Sequence, residues 1–194
     1  MNKIELLAPA GNFEALVAAV ESGADAVYLG GNKFSARAYA DNFDGQSLAK
    51  AARFAHIRGV KVFVTVNILL SDRELAEALD YINFLYQIGV DGIIVQDIAL
   101  LKLAVNTFPD LPVHCSTQMV VHNAEGVRYY SRLGAKRIVL ARELSVEEVR
   151  SIAESTGVDL EIFIHGALCV SYSGQCLMSS LIGGRSGNRG RCAQ

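Results

Sequence analysis

Ser22-Gly23-Ala24-Asp25-Ala26-Val27-Tyr28-Leu29, Ile88-Gly89-Val90-Asp91-Gly92-Ile93-Ile94-Val95 and Leu133-Gly134-Ala135-Lys136-Arg137-Ile138-Val139-Leu140 are three versions of one phrase. A helical stretch ends at a glycine, one or two residues follow, and a short apolar run begins. Arg58 to Val66 and Thr156 to Ile164 repeat it. Glycine suits the left-handed position just past a helix end, and a β-branched run suits a strand covered on both faces.

The segments between these phrases have helical period. Phe13, Leu16, Val17 and Val20 recur at i, i+3, i+4 and i+7. Ser71 or Asp72 with Glu74, and Ser145 with Glu147 and Glu148, are helix-start patterns with acids in the first turn. Strands are predicted at 4–8, 25–29, 61–67, 91–96, 112–117, 136–141 and 159–164, and helices at 13–22, 46–57, 72–87, 97–107, 122–133 and 145–155. Strands alternating with helices imply parallel pairing through right-handed crossovers. The expected fold is α/β, a TIM-type (β/α)8 barrel that is incomplete, with about seven βα units and the eighth strand beyond the chain end. Residues 1–168 would supply the barrel units, and residues 169–194 a Gly/Arg/Cys-rich loop that starts the remainder of a longer protein. A doubly wound sheet is the alternative, weakened because Leu7-Ala8-Pro9-Ala10-Gly11 is no Gly-rich phosphate fingerprint.

Of the 194 residues 51% are hydrophobic and three are prolines, enough for a sizeable core. The net charge of −2 excludes a generally cationic surface, so RNA contact would need a local basic patch. Neither a leader at Met1–Leu7 nor an apolar run long enough to span a bilayer is evident, so a cytoplasmic protein with reduced thiols is expected. Its four cysteines are then packing residues, nucleophiles or metal ligands rather than disulfides.

Three of them follow the last predicted strand. The run Glu161-Ile162-Phe163-Ile164-His165-Gly166-Ala167-Leu168-Cys169 continues to Gly174, Cys176, Met178 and Ser179. This pattern resembles the signature of peptidase family U32, the collagenase-like peptidases, and Glu5 to Gly11, Asp25 to Gly31 and Ser116-Thr117-Gln118 are similar to other family segments. The resemblance implies a barrel whose cysteines bind a [4Fe-4S] cluster. It implies oxygen-independent hydroxylation of an RNA pyrimidine, a tRNA uridine or an rRNA cytidine, or of a quinone precursor, with prephenate as a co-substrate in the tRNA reaction. Cys169, Cys176 and Cys192 match three ligands, the fourth having no counterpart up to Gln194. The ending Arg191-Cys192-Ala193-Gln194 is nearer the rRNA type.

Residue chemistry is compatible with that implication. Cubane clusters take soft thiolates at irregular spacing, and a cysteine leaving the C-terminal end of a barrel strand stands where barrel enzymes keep their sites. Gaps of six and fifteen residues suit zinc ribbons poorly. Inert packing is the competing reading, favoured for Cys115. The collagenase-like peptidase alternative lacks H-E-x-x-H and G-x-S-x-G, leaving only a Cys169–His165 pair at a strand exit. A non-catalytic scaffold carrying the cluster is the third reading.

Asn67, Gln96, Gln118, Arg142 and Glu143 fall at strand ends, where they either cap the next helix or face a pocket. Arg142 has the chemistry to clamp a carboxylate or phosphate. His165, His114 and His122 divide between backbone hydrogen bonding and substrate contact, and His56 suits a helix C-terminus. Arg185, Arg189 and Arg191 are either a solvated loop or phosphate contacts for RNA, and Tyr172 either stacks on a base or shields the cluster.

Overall fold

The glycine that closes each phrase carries out its expected turn. Gly23, Gly59, Gly89, Gly134 and Gly157 all have positive φ, between 63° and 103°, and each precedes a strand. The computed structural model describes residues 4–36, 41–166 and 169–192; Ala167, Leu168, Ala193 and Gln194, quoted above, lie outside them.

Seven strands, β1 (Leu7–Ala10), β2 (Ala26–Gly30), β3 (Lys61–Val66), β4 (Gly92–Val95), β5 (Val113–Cys115), β6 (Arg137–Val139) and β7 (Asp159–Glu161), form one parallel sheet in sequential order. Six helices alternate with them: α1 (Phe13–Glu21), α2 (Gly45–His56), α3 (Asp72–Gln87), α4 (Ile98–Thr107), α5 (Ala124–Arg132) and α6 (Val146–Thr156). The unbroken order β1 to β7 rules out the doubly wound arrangement, whose strand order reverses at a switch point. The sheet is curled. Glu5, just before β1, reaches both Lys61 of β3 and Arg137 of β6, each at 2.7 Å. Among the described residues β1 and β7 are the unpaired edges.

Strand alternation divides the side chains. Val62, Val64 and Val66 of β3 point out against the helices, with Ile93, Val95, Val113, Cys115 and Ile138, and meet Ile82, Leu85, Leu100 and Leu101. Burying each large aliphatic of that layer contributes about 1.5–3 kcal/mol. Ala26, Phe63 and Ile94 point into the concavity beside Leu7 and Tyr28. The predicted helix starts hold: Ser145 Oγ accepts the Glu148 N–H at 3.3 Å while Glu148 accepts the Ser145 N–H at 2.7 Å.

Several strands differ from expectation where side chains intercept the backbone. The first begins at Leu7 rather than residue 4, because the Leu6 N–H donates to the Asp25 carboxylate at 2.9 Å instead of to a neighbouring strand. The fifth stops at Cys115, since Ser116 Oγ accepts the Gln118 N–H and starts a 3-10 turn over Thr117–Met119. Residues 169–192 are not loop throughout: they contain a short helix, α7 (Met178–Gly183). No helix among the described residues is long and apolar enough to cross a membrane.

Candidate functional site

The C-terminal strand ends surround a cavity of about 230 Å³ in the concave face. Its floor is apolar, from Tyr28, Ile94, Val139 and Phe163, with one acid, Glu161; its walls are Thr65, Asn67, Ser116, Thr117 and Gln118. The hydroxyls are committed to the backbone, Thr65 Oγ1 donating to the Leu29 carbonyl at 3.3 Å and Thr117 Oγ1 to that of Leu140 at 3.2 Å. Asn67 Oδ1 accepts the Ala36 N–H at 3.0 Å, and Gln118 Oε1 accepts from the Ser116 hydroxyl at 3.4 Å. What both amides can offer a ligand is their N–H donors. Of the other predicted strand-end residues, Gln96 keeps a buried Oε1 without a hydrogen-bond partner. A larger depression of about 410 Å³ is lined by Gly31, Asn32, Phe34, Ser35, Asn42, Ile68 and Arg189.

Glu161 stands apart from its neighbours. Its side chain is 16% exposed, and its Oε2 is buried without a hydrogen-bond partner. The Arg137 guanidinium is 3.6 Å away, an ion-pair contact too long for a hydrogen bond, and its same nitrogen lies 2.7 Å from Glu5. Burial raises the Glu161 carboxyl above the usual carboxylate range, against the pull of Arg137. Sequence reading quoted Glu161 only as a signature position. The available signal was an acid two residues past Asp159 in a strand with an apolar neighbour, which alternation turns inward.

Arg142 and Glu143, expected either to cap the next helix or to face a pocket, are not among the residues lining this cavity. They bracket Ser173, itself 1% exposed. The Arg142 N–H and Nε donate to Ser173 Oγ at 3.3 Å, Arg142 Nη2 donates to the Ser171 carbonyl, and Ser173 donates its N–H and hydroxyl to Glu143 at 2.9 and 3.1 Å. Burial opposes ionisation of Glu143, but the Ser173 bonds hold its carboxyl below its ordinary value. Beside Ser173, Gly174 at φ 72° lies against the Gln118 backbone. At the far end of the segment, Asn188 exchanges hydrogen bonds with the backbone of Leu69, and both Arg189 guanidinium nitrogens grip Glu74 at 2.7 and 3.0 Å. Arg189 and the Ser71 N–H drive the Glu74 carboxyl down to about 2. Residues 169–192 thus form a strap pinned to the β6 side at one end and the β3 side at the other. Arg189 is a clasp rather than a free phosphate contact, whereas Arg185 and Arg191 are exposed, as are Tyr172 and His165.

The cysteines lie along this strap as free thiols, Cys169 half-buried and Cys176 and Cys192 exposed. Among the described residues no three His, Cys, Asp or Glu side chains converge to hold a metal ion. As placed, Cys169, Cys176 and Cys192 do not form a cluster site. Cys115 faces the helices, fully buried, and burial pushes its thiol up to about 12, as a packing residue requires. Among the described residues no histidine is hydrogen-bonded to a cysteine: His56 pairs with Asp91, His122 Nδ1 contacts the Val120 carbonyl, and His114 packs on Phe63 inside the concavity.

Comparison with known proteins converges on one family. The model of peptidase family U32 matches residues 11–194. The chain is 46% identical over 193 residues to the 23S rRNA 5-hydroxycytidine C2501 synthase of Escherichia coli, covering 100% of this chain and 29% of that protein. It is 42% identical over 192 residues to the tRNA hydroxylation protein P1 of Bacillus subtilis, covering 99% of this chain and 46% of the relative. The chain therefore spans less than half the length of these relatives. The structure of the U32 peptidase Mk0906 superposes with a TM-score of 0.69 at 22% identity, over 82% of this chain and 68% of that one, a likeness of fold.

Proposed function

The chain belongs to peptidase family U32, and from that membership we propose that it is the substrate-binding barrel portion of an enzyme that hydroxylates a pyrimidine in RNA, an rRNA cytidine ahead of a tRNA uridine. The observation that carries this reading is the cavity at the strand ends. An apolar floor with two aromatic rings, Tyr28 and Phe163, walled by amide donors, suits a planar heteroaromatic base better than an extended polypeptide. The higher identity to the rRNA-modifying relative orders the two RNA classes. In this reading the curled sheet is part of a closed (β/α)8 barrel whose eighth strand pairs with both the β1 and β7 edges. The strap would lie where a single-stranded RNA enters, and the exposed Arg185, Arg191 and Tyr172 would meet its backbone and bases.

Ligation of a [4Fe-4S] cluster by Cys169, Cys176 and Cys192 is part of the proposal and rests on their pattern. It requires the strap to fold inward from the placement described here, and the three thiols are reduced, accessible donors of the right softness. Prephenate as co-substrate stands on the resemblance alone. The peptidase reading needs a thiol activated by a histidine, and the hydrogen bonding described above supplies none.

Mass spectrometry of rRNA and tRNA nucleosides from a strain lacking the full-length protein tests the proposal. One hydroxylated pyrimidine should disappear and return on complementation, and fail to return with Cys169, Cys176 and Cys192 changed to Ala. An unchanged nucleoside profile, or peptide cleavage by purified protein that survives those substitutions, would overturn it.

A further inference from the structure

Most side chains lining the cavity are already satisfied. Thr65 and Thr117 hold backbone carbonyls, and Asn67 and Gln118 have used their oxygens, leaving amide N–H donors to offer. The exception on the floor is the Glu161 carboxyl, whose Oε2 makes no hydrogen bond and has only the Arg137 guanidinium, 3.6 Å away, as a charged neighbour. A carboxyl that lines a ligand-sized cavity with so few hydrogen bonds of its own calls for a donor from the ligand, because leaving it under-satisfied on binding would lose affinity.

Polarity narrows the ligand further. Glu161 belongs to a group of four charges at the base of the concavity: Glu5 and Glu161 against Lys61 and Arg137. Arg137 is shared between the two acids, so the floor presents a carboxyl whose positive partner lies beneath it, away from the cavity. His114, also packed in the concavity, is held neutral by burial, with its imidazole pushed down to about 3. An anionic ligand group lowered onto Glu161 would meet like charge in an apolar cleft. A neutral ring bearing an N–H meets an acceptor, and its carbonyl oxygens meet the Asn67 and Gln118 donors.

We infer that Glu161 is the residue that recognises the substrate base, accepting the ring N–H or exocyclic amino group of a pyrimidine turned into this cavity, and that an anionic co-substrate binds elsewhere. The inference rests on the RNA-pyrimidine reading and deepens it. Cytosine offers an exocyclic amino group beside a ring nitrogen and carbonyl; uracil offers a ring N–H between two carbonyls. Both carry the one donor that Glu161 needs and a carbonyl for an amide. Glu161 here is a binding residue, with no bond made or broken at its carboxyl.

The test uses the full-length protein and four nucleosides, with binding followed by saturation-transfer NMR. Uridine is compared with 3-methyluridine, and cytidine with N4,N4-dimethylcytidine, so that the donor is removed from the ligand while the protein stays intact. Each methylated nucleoside should bind at least tenfold more weakly to unaltered protein, since a hydrogen bond to a charged group is at stake. Glu161→Ala should abolish that preference, Glu161→Gln, which keeps an acceptor oxygen, should retain part of it, and prephenate should not displace the nucleosides. Equal binding of methylated and unmethylated nucleosides by unaltered protein, a preference that survives Glu161→Ala, or displacement by prephenate would overturn the inference. The RNA nucleoside profile separates this from the broader proposal. An unchanged profile with intact nucleoside discrimination sinks the hydroxylation reading alone; a lost hydroxylation without discrimination at Glu161 sinks the recognition role alone.

Discussion

Changing Gly174 to Ala should undock the strap, and the size of the effect follows from two independent terms. Gly174 has φ 72°, where an L-residue costs about 1–2 kcal/mol. That term alone raises the open population of the adjoining turn roughly 5- to 30-fold. A Cβ there would also stand 2.5 Å from the Gln118 carbonyl oxygen and 3.0 Å from its Cα. Both are backbone atoms of the 3-10 turn that forms the cavity wall, so relief requires the strap to lift. Overpacking of this kind adds about 1–3 kcal/mol. Gly184→Ala is the matched control, because φ is 59° there and nothing lies within 4 Å of an added Cβ. Hydrogen exchange of the full-length protein, read over residues 171–176 and 116–119, distinguishes the terms. Gly174→Ala should speed exchange in both windows by a factor of ten or more, and Gly184→Ala should leave them near the unaltered rate. Similar exchange in the two variants would refute a contact between Gly174 and the Gln118 backbone as the pin.

The other expectations concern charge and thiols. His114 is neutral in the fold and protonated when unfolded below its ordinary value of about 6.5. Stability should therefore be full above that pH and fall as pH drops toward about 3, by up to about 1.4 kcal/mol per pH unit; His114→Phe should flatten that part of the curve in denaturant titrations at stepped pH. Glu74, held down to about 2 by Arg189 and Ser71, should release the 186–191 end of the strap as pH falls from about 4.5 toward about 2. Glu74→Gln should show the same loosening at neutral pH by amide protection factors. Iodoacetamide at pH 7.5 should label Cys169, Cys176 and Cys192 in metal-free protein while sparing Cys115, with peptide mass spectrometry as the readout. Rapid labelling of Cys115 would contradict its burial.

The repeating fold was legible because its signals are local. A glycine past a helix end and the β-branched run after it lie within eight residues, and the five repeats reinforce one another. Strand ends were harder to read, because the Asp25 carboxylate captures the Leu6 N–H that hydropathy assigns to the ladder, and the Ser116 hydroxyl caps a 3-10 turn that replaces the end of the fifth strand. Helix α7 was missed for a similar reason: Ser179-Ser180 before Gly183-Gly184 reads as loop, and its apolar Leu181 and Ile182 are exposed rather than patterned against a core. Asn67 and Gln118 were found at the cavity from position alone. Arg142 and Glu143 were placed by the same rule but turn to Ser173, some 30 residues further along the chain, and a contact of that range leaves no trace in a local pattern.

Glu161 ties the two ends of the concavity together. The charges beneath it have close partners: Glu5 holds Lys61 and Arg137, and the Arg137 guanidinium also lies over Phe63 at 5.4 Å. That arrangement ties β3, β6 and the segment before β1 together at the base of the curled sheet. A hydrophobic residue at 161 would fill that place without the desolvation cost of a buried carboxyl. Burial instead raises the ionisation threshold of the acid, and one of its oxygens is left without a hydrogen bond. Such a cost is retained where the carboxyl has a ligand to meet, and Glu161 lines the strand-end cavity.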